Sequence, residues 1–404
     1  MKRNKVLPLI AGLAVSSLLG GCGKEIIDEP IVESTQENVE ENTQENETEN
    51  EKGEVVKNEK SNISKNVQIL DLAYNNENIM LSPTSLNMAL GMLTNGTAGD
   101  TRVQLEEFLQ SDIDSYNNFT KNYMDNLGKG VNIANSVWVS NDYNLRNEFS
   151  TTVIDLYNAK VEKLDFLNPE SVGIINNWVD TNTDGRIPKV LNVIPDSTTT
   201  ILINVVDFDK QWKDSFKEYQ ITEGKFEGND VIYLNDDTNC IYYENDYATG
   251  FARRYEDDRY SFVGILPKQE GEFNVSDLDI EGLLKTGTYE DVIYKFPEFE
   301  FEFESSLNSY LKEVGVNSIF NTDSDFSNLF EETGEYYVSE ILQKTKVIVN
   351  REGTKASAST TIIVTDGCAM PSEPKQVYLD RPFVFVIYDN ETNECLFIGK
   401  VVKL

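Results

Sequence analysis

Residues 351–364 read REGTKASASTTIIV, a run of small residues with no bulky apolar side chain before Ile362. Side chains alternate between the two faces of an extended chain, so one face of this run carries Thr354, Ala356, Ala358 and Thr360. That face is small and mostly apolar, which would let it slide between strands over a core. The neighbouring Gly353 and Asp366-Gly367 are loop signals. The pattern alone therefore fits a surface loop, a small-residue edge strand or a strand that can be inserted.

The composition limits the classes of function. The chain has 404 residues, 39% of them hydrophobic, and can bury a large core. Its formal net charge of -34 argues against nucleic acid as a partner, because phosphate binding requires clustered Lys and Arg. The sequence contains no histidine, which excludes Ser-His-Asp and Cys-His catalytic sites and His-bound metals. We expect no metal, no cofactor and no enzymatic activity, although a Ser-Lys hydrolase stays open.

The N-terminus has the pattern of an export signal. A basic start precedes an apolar stretch, residues 6–19, that is too short to span a membrane as a mature helix. The closing Leu19-Gly20-Gly21-Cys22 resembles a bacterial lipobox, which implies cleavage after residue 21 and a lipid on the Cys22 sulfur. We expect a lipoprotein signal peptide at residues 1–21 and an anchored protein on the extracellular side of the membrane. An ordinary signal peptide is the alternative.

Residues 22–60 form the second predicted segment. From Lys24 onward this segment is mainly Glu, Asn, Gln and Thr, which cannot bury enough apolar surface to offset the entropy of folding. Like charges keep such a chain extended. It is therefore predicted to be a disordered acidic tether, with a specific acidic interaction tail as the alternative.

The remaining residues, 61–404, are predicted to form one α+β domain. The segment LSPTSLNMALGML predicts a helix with Ser82 at its N-cap, Pro83 in its first turn and Gly96 at its end. A second helix is predicted from about Asp100 and a third across NNWVDTNTDG. Strands are predicted at NIANSVWVS, TTTILINVVDF, YSFVGILP, YKFPEFEFEFE, KTKVIVN, RPFVFVIYD and ECLFIGKVV. Mixed helices and long apolar strands favour an α+β fold with more than one sheet.

Two local patterns imitate functional motifs. Asp180-Thr-Asn182-Thr-Asp184-Gly185 matches the start of a calcium-binding EF-hand loop, but its twelfth position is Leu191 instead of a bidentate Glu. A helix C-terminus that closes on Gly185 explains the same residues. The FEFEFE alternation predicts a half-buried strand with Phe inward, not a pair of catalytic carboxylates.

Five segments in order resemble the serpin family. They are NIMLSPTSLNMALGMLTNGTAGDT, NNWVDTNTDGRI, LINVVDFDKQW, YVSEILQKTKVIVNREGTKASAST and LDRPFVFVIYDNETNECLFIGKVV. The resemblance covers nearly all of residues 61–404. It implies helices packed around a large central β-sheet, smaller sheets and an exposed reactive-centre loop at about 351–376.

The resemblance also implies a suicide inhibitor of serine, and possibly cysteine, endopeptidases. A protease cuts the loop, and the cut loop inserts as a new central strand and drags the acylated protease with it. The hinge is made of Arg351, Glu352, Gly353, Thr354, Ala356, Ala358 and Thr360. Family spacing places the cut fourteen positions after Gly353, at Gly367–Cys368, with Val364, Thr365 or Met370 as alternative primary residues. Small or apolar residues here favour subtilisin-, elastase- or papain-like targets over trypsin-like ones.

A polar cluster beneath the sheet opening is implied as well. By resemblance it comprises Ser82, Ser85, Asn204 and Gln343, with Trp212 at the top of the sheet. The family has a histidine where this chain has Gln343, and Glu is frequent in relatives where this chain has Arg351. An amide can donate and accept hydrogen bonds, and Arg351 could pair with some other acid.

Three cysteines follow Cys22 in the sequence. Cys240, Cys368 and Cys395 are an odd set with wide spacing, which argues against a disulfide framework. We expect Cys395 to be a small buried residue, and Cys368 to be an exposed thiol beside the cut, either redox-sensitive or merely small.

The expected partner is a target protease, with the inhibitor itself a monomer. A serpin-fold surface protein that binds a ligand without inhibiting is the alternative function.

Overall fold

The computed structural model describes residues 6–18, 63–353 and 373–404. Within these ranges there are eight α-helices, fifteen strands and three short 3-10 helices. The α-helices are α1 Ile63–Ala73, α2 Pro83–Asn95, α3 Gly99–Leu109, α4 Ile113–Asp125, α5 Asn147–Tyr157, α6 Glu170–Asn182, α7 Ile280–Leu284 and α8 Asn308–Glu313. The 3-10 helices are Glu218–Gln220, Val275–Leu278 and Ser318–Phe320.

The strands form two sheets. They are β1 Val6–Leu18, β2 Ile79–Leu81, β3 Val131–Ser140, β4 Lys160–Leu164, β5 Thr200–Asp209, β6 Ile221–Phe226, β7 Asn229–Glu244, β8 Ala248–Arg254, β9 Tyr260–Pro267, β10 Thr288–Pro297, β11 Phe299–Ser306, β12 Glu335–Val349, β13 Lys375–Tyr378, β14 Phe383–Asp389 and β15 Cys395–Val401. One sheet has six strands in the order β11-β12-β1-β5-β3-β4. The other has the order β13-β10-β7-β8-β9-β14-β15-β2, with β6 paired to β7.

The first predicted helices are confirmed. Helix α2 begins after Ser82, whose hydroxyl accepts a hydrogen bond from the backbone N–H of Ser85, and it ends at Gly96. Pro83 stands in its first turn, where the missing N–H costs no hydrogen bond. Helix α3 buries Leu105 and Phe108, as its spacing predicts. Nearly all of α2 is buried, which makes it the central helix of the core.

One strand prediction is wrong in its extent. The segment YKFPEFEFEFE is two strands in two sheets, since β10 ends at Pro297 and β11 begins at Phe299. Proline has no N–H to donate to a ladder, and the next N–H, of Glu298, turns to the carbonyl of Ile232. Within β11 the predicted alternation is confirmed: Phe299 is buried and the glutamates face solvent. These glutamates pair with Lys344 and Lys346 of β12.

The six-stranded sheet contains a strand between β12 and β5. Strand β1 is parallel to both of these neighbours, which are therefore parallel to each other. We call the place between β5 and β12 the central position. Strand β1 belongs to the predicted signal peptide.

Strand β5 is buried on both faces. Its residues Leu202 and Val206 join the main core, which also contains α2. Ile201, Ile203 and Val205 join a second apolar cluster with Ile175 and Val179 of α6. A strand covered on both faces reads as a nearly continuous apolar run, and in β5 only Asn204 and Asp207 interrupt the run between Ile201 and Phe208.

The calcium-like motif ends a helix, as predicted. The N–H of Gly185 bonds to the carbonyl of Asp180 at 2.8 Å, and Gly185 has φ +77. In the described ranges no group of three or more acidic or cysteine residues could hold a metal ion. None of the helices in the described part of the chain has the length and apolar character needed to cross a membrane.

Candidate functional site

A tight turn follows β12 and forms the start of the predicted hinge. In this hinge turn, residues 350–353, the N–H of Gly353 bonds to the carbonyl of Asn350 at 3.3 Å. The N–H of Glu352 bonds to the side chain of Asn350 at 2.9 Å. Gly353 has φ +46, and a Cβ there would lie 2.1 Å from the backbone nitrogen of Trp212. The turn reverses the chain next to the central position, and it requires glycine.

Arg351 has an acidic partner. Its backbone N–H, Nε and one terminal nitrogen all donate to the Glu298 carboxylate, at 2.8, 2.9 and 2.9 Å. These hydrogen bonds raise the pKa of Arg351 above its ordinary value, against the opposing effect of burial. The hinge therefore keeps an ion pair, although Arg351 replaces the acid that the resemblance implies.

Trp212 lies directly beneath the hinge turn. Its indole Nε1 donates to the carbonyl of Asn350 at 2.9 Å, and its ring contacts Gly353. The indole is stacked on Tyr255 with ring centroids 4.7 Å apart, and Trp212 is only 2% exposed. Both ends of the hinge turn therefore rest on one fixed aromatic ring.

Gln343 uses both ends of its amide. Its Oε1 accepts from the N–H of Ser82 and its Nε2 donates to the carbonyl of Ser82, each at 3.1 Å. The Ser82 hydroxyl donates to the carbonyl of Leu396 at 2.6 Å and accepts from the N–H of Ser85. An amide thus supplies the donor and the acceptor that tie β12 to the start of α2, without a titratable group.

Asn204 lies across the central position from Gln343. Leu13 of β1 is in register with both of these residues, so the three form one row across the sheet. Asn204 Nδ2 donates to Asn135 of β3 at 2.7 Å. Among the described residues, neither Asn204 Oδ1 nor the Ser85 hydroxyl has a hydrogen-bond partner, although both residues are fully buried. This part of the fold therefore contains two buried polar atoms that have no hydrogen-bond partner among the described residues.

The predicted cluster is therefore two groups. Ser82, Ser85 and Gln343 are in contact, with Asn204 in the same row. Trp212 instead meets Asn350, the first residue after β12 and seven residues beyond Gln343, a separation of about 23 Å in an extended chain. Sequence reasoning missed Glu298, Asn135 and Asn350, because no local pattern links them to partners so distant in the chain.

Several predicted residues lie outside the described ranges. They are the hinge residues Thr354, Ala356, Ala358 and Thr360, the bond Gly367–Cys368, its alternatives Val364, Thr365 and Met370, and Cys22 with the whole predicted tether. Of the other cysteines, Cys395 is buried as expected, and Cys240 is half-buried and unpaired.

Together these features define a protein with a large sheet that holds an extra strand beside a preformed hinge. The family model described as "Serpin (serine protease inhibitor)" matches residues 64–404, and the chain belongs to the serpin family. Serpins are generally protease inhibitors that act by a suicide mechanism, not enzymes, although some members do not inhibit.

Relatives and solved structures support this assignment. A serpin-like protein from Thermococcus kodakarensis is 31% identical over 82% of this chain and 82% of its own length. Leukocyte elastase inhibitor A of Mus musculus is 28% identical over 83% of this chain and 95% of its own. The thermophilic serpin tengpin in its native state has a TM-score of 0.75 and 33% identity, covering 86% of this chain and 96% of tengpin. Tengpin in its latent state gives a TM-score of 0.74 and 31% identity, covering 86% of this chain and 100% of tengpin.

Proposed function

We propose that this chain inhibits a protease as a suicide substrate, by inserting its cut loop into the central position. The observation that carries the proposal is a sheet that holds a whole strand between β12 and β5, directly beside the hinge turn. A sheet able to hold a strand there has room for the loop. Strand β1 is parallel to its neighbours, whereas a loop that continues from the hinge turn would be antiparallel to β12.

The geometry of the hinge turn gives a register for the inserted loop. Asn350 and Gly353 close the turn, so Val349 would pair with Thr354, and pairing would continue residue by residue away from the turn. Thr360 would then pair with Gln343. Buried residues of β12 in this stretch are Gln343, Thr345, Val347 and Val349, whose partners would be Thr360, Ala358, Ala356 and Thr354. The small face of the hinge would thus face the core.

Thr360 would also lie near a buried acceptor that has no hydrogen-bond partner among the described residues. In this register it enters the row of Gln343 and Asn204, where Asn204 Oδ1 is buried without a partner among the described residues. A threonine hydroxyl can donate to such an oxygen. A buried acceptor that gains a donor recovers part of its desolvation cost, which favours the inserted state.

The proposal also covers the target protease and the location of the inhibitor. We infer cleavage at Gly367–Cys368 by a protease that accepts small or apolar residues, such as a subtilisin-, elastase- or papain-like enzyme. The similarity to a leukocyte elastase inhibitor supports this choice. A lipid on Cys22 and a tether at residues 22–60 would hold the inhibitor, as a monomer, on the extracellular side of the membrane.

The test combines a protease panel with two arginine variants. The unsubstituted protein is expected to form a complex that survives SDS, and the mass of the released fragment identifies the cut. Ala356→Arg, on the core face, should turn the inhibitor into a substrate, because a buried unpaired charge opposes insertion. Ser357→Arg, on the opposite face, should still trap the protease. Cleavage without any complex would favour the non-inhibitory alternative, and repeated turnover would indicate a hydrolase.

A further inference from the structure

Arg253 is a buried cation next to Trp212, and no step of the proposed function uses it. It lies on β8 and is only 6% exposed. One terminal nitrogen donates to Asp236 Oδ2 at 2.7 Å and to the Tyr294 hydroxyl at 2.6 Å, and the other donates to the backbone carbonyl of Asp214. Burial acts against the charge, but Tyr294 and Asp236 hold the pKa of Arg253 above its ordinary value.

The Arg253 guanidinium also faces two aromatic rings. Its central carbon lies 3.8 Å from the centroid of Phe216 and 5.5 Å from that of Trp212. Both distances are within the range in which a cation is attracted to a ring face. Arg253 also borders a cavity of about 280 Å³, and its hydrogen bonds to Asp236, Tyr294 and Asp214 set the direction of the guanidinium beside it.

A buried charge at this place requires an explanation. An apolar side chain of similar volume would fill the same space without the cost of removing a cation from water. What the arginine adds is a fixed direction, since the planar guanidinium is held by acceptors on β7 and β10 while its central carbon lies 5.5 Å from the centroid of Trp212. Trp212 in turn supports the hinge turn at Asn350 and Gly353.

We propose that Arg253 is a positioning residue that fixes the Trp212 indole beneath the hinge turn and so speeds entry of the cut loop into the central position. The proposal rests on the proposed function. The hinge turn contacts Trp212 in a sheet whose central position is filled, so these contacts belong to the open form of the sheet. Interactions that preorganise the turn in that form lower the barrier to insertion.

The test measures two quantities in the protein expressed from its full sequence. The first is the number of inhibitor molecules consumed for each protease trapped. The second is the emission of Trp212, obtained as the difference from the Trp212→Phe variant in each background. Arg253→Met should slow insertion about fivefold, as expected for losing one cation-π contact. The excess of the first number over one should then rise about fivefold, and the emission should shift to the red. Arg253→Lys keeps the positive charge but loses the planar guanidinium. Its two measured values should lie between those of the unsubstituted protein and those of Arg253→Met.

The matched control is Arg254→Met on the same strand. Arg254 bonds to the Tyr289 hydroxyl and makes no ring contact with Trp212 among the described residues, so both quantities should stay unchanged. If Arg253→Met does not fold, Tyr294→Phe removes one acceptor of the guanidinium and should act in the same direction.

Two results would overturn the proposal. One is a lower melting temperature with unchanged trapping and unchanged Trp212 emission, which would make Arg253 merely structural. The other is an equal effect of Arg254→Met. If the unsubstituted protein traps no protease, the proposed function fails. In that case the role of Arg253 is tested by the rate at which Trp212 emission changes after loop cleavage. An equal rate in the unsubstituted protein and in Arg253→Met would reject that role.

Discussion

Arg351 and Glu298 provide a reciprocal charge test of the hinge. Arg351→Glu or Glu298→Arg alone would place like charges together, and each should lower the free energy of unfolding by about 1 kcal/mol or more. The double variant restores opposite charges and should recover most of the loss. Urea unfolding of the four proteins measures the coupling, and losses that simply add in the double variant would show that the pair does not stabilise the hinge.

The cysteines differ in reactivity because they differ in burial. Burial, assisted by Asp236, raises the pKa of Cys240 to about 12, and burial raises that of Cys395 well above its ordinary value. At pH 8 only about 1 in 10,000 thiols with a pKa near 12 is ionised, against about a quarter of thiols with an ordinary pKa of about 8.5. Iodoacetamide should therefore modify Cys368 of the native protein and spare the other two.

Mass mapping of the labelled peptides checks this prediction, with the urea-unfolded protein as the control. In urea, Cys240 and Cys395 should react at the rate of ordinary thiols. Equal labelling of Cys240 and Cys368 in the native protein would contradict either the protection of Cys240 or the exposure of Cys368.

Helix and strand patterns predicted α2, α3, α6 and eight of the fifteen described strands, because the signals of these elements are local. Ser82, Pro83 and Gly96 mark both ends of α2 within fifteen residues, and the Phe-Glu alternation fixes the faces of β11. The break at Pro297 was missed because apolar residues continue on both sides of it, while the change of sheet depends on pairing with β7 on one side and β12 on the other.

The site was less predictable because its contacts join distant residues. Gln343 pairs with Ser82 across 261 positions of the chain, and Arg351 with Glu298 across 53. The resemblance gave Ser82, Ser85, Asn204 and Gln343 together, but it could not give Glu298 as the partner of Arg351. Where a chain has a different residue type from the one usual in its family, only the folded geometry shows which neighbour compensates.

Strand β1 and the reactive loop would require the same position in the sheet. In the full chain Val6–Leu18 lies between β12 and β5, where the cut loop would insert. A protein that keeps residues 1–21 should therefore trap less protease than one that starts at residue 22. If this leader, residues 1–21, occupies the central position in nine of ten molecules, trapping should fall about tenfold.

A charge in the leader supplies the control. Leu13 is in register with Gln343 and Asn204, both of which are fully buried, so Leu13→Lys would add a charged residue between two buried neighbours and should release the leader. The long chain with Leu13→Lys should then trap protease as well as the short chain. Equal trapping by the two unsubstituted lengths would show that β1 does not hold the position in solution.

The net charge of -34 acts on the encounter between inhibitor and protease. Long-range attraction speeds association of oppositely charged molecules and is screened by salt, whereas loop insertion follows after contact has been made. Charge should therefore select among proteases by their rate of association. The number of inhibitor molecules consumed per protease trapped should not depend on it.

Two proteases of similar specificity and opposite net charge test this separation. Between about 0.05 and 0.5 M salt, association with the positively charged protease should slow about tenfold, because screening removes the attraction to an acidic inhibitor. Association with the negatively charged protease should stay constant or become faster as repulsion is screened. The stoichiometry of trapping should stay constant for both proteases. The same salt response for both would mean that contacts at the loop alone, and not the charge of the whole molecule, set the rate of encounter.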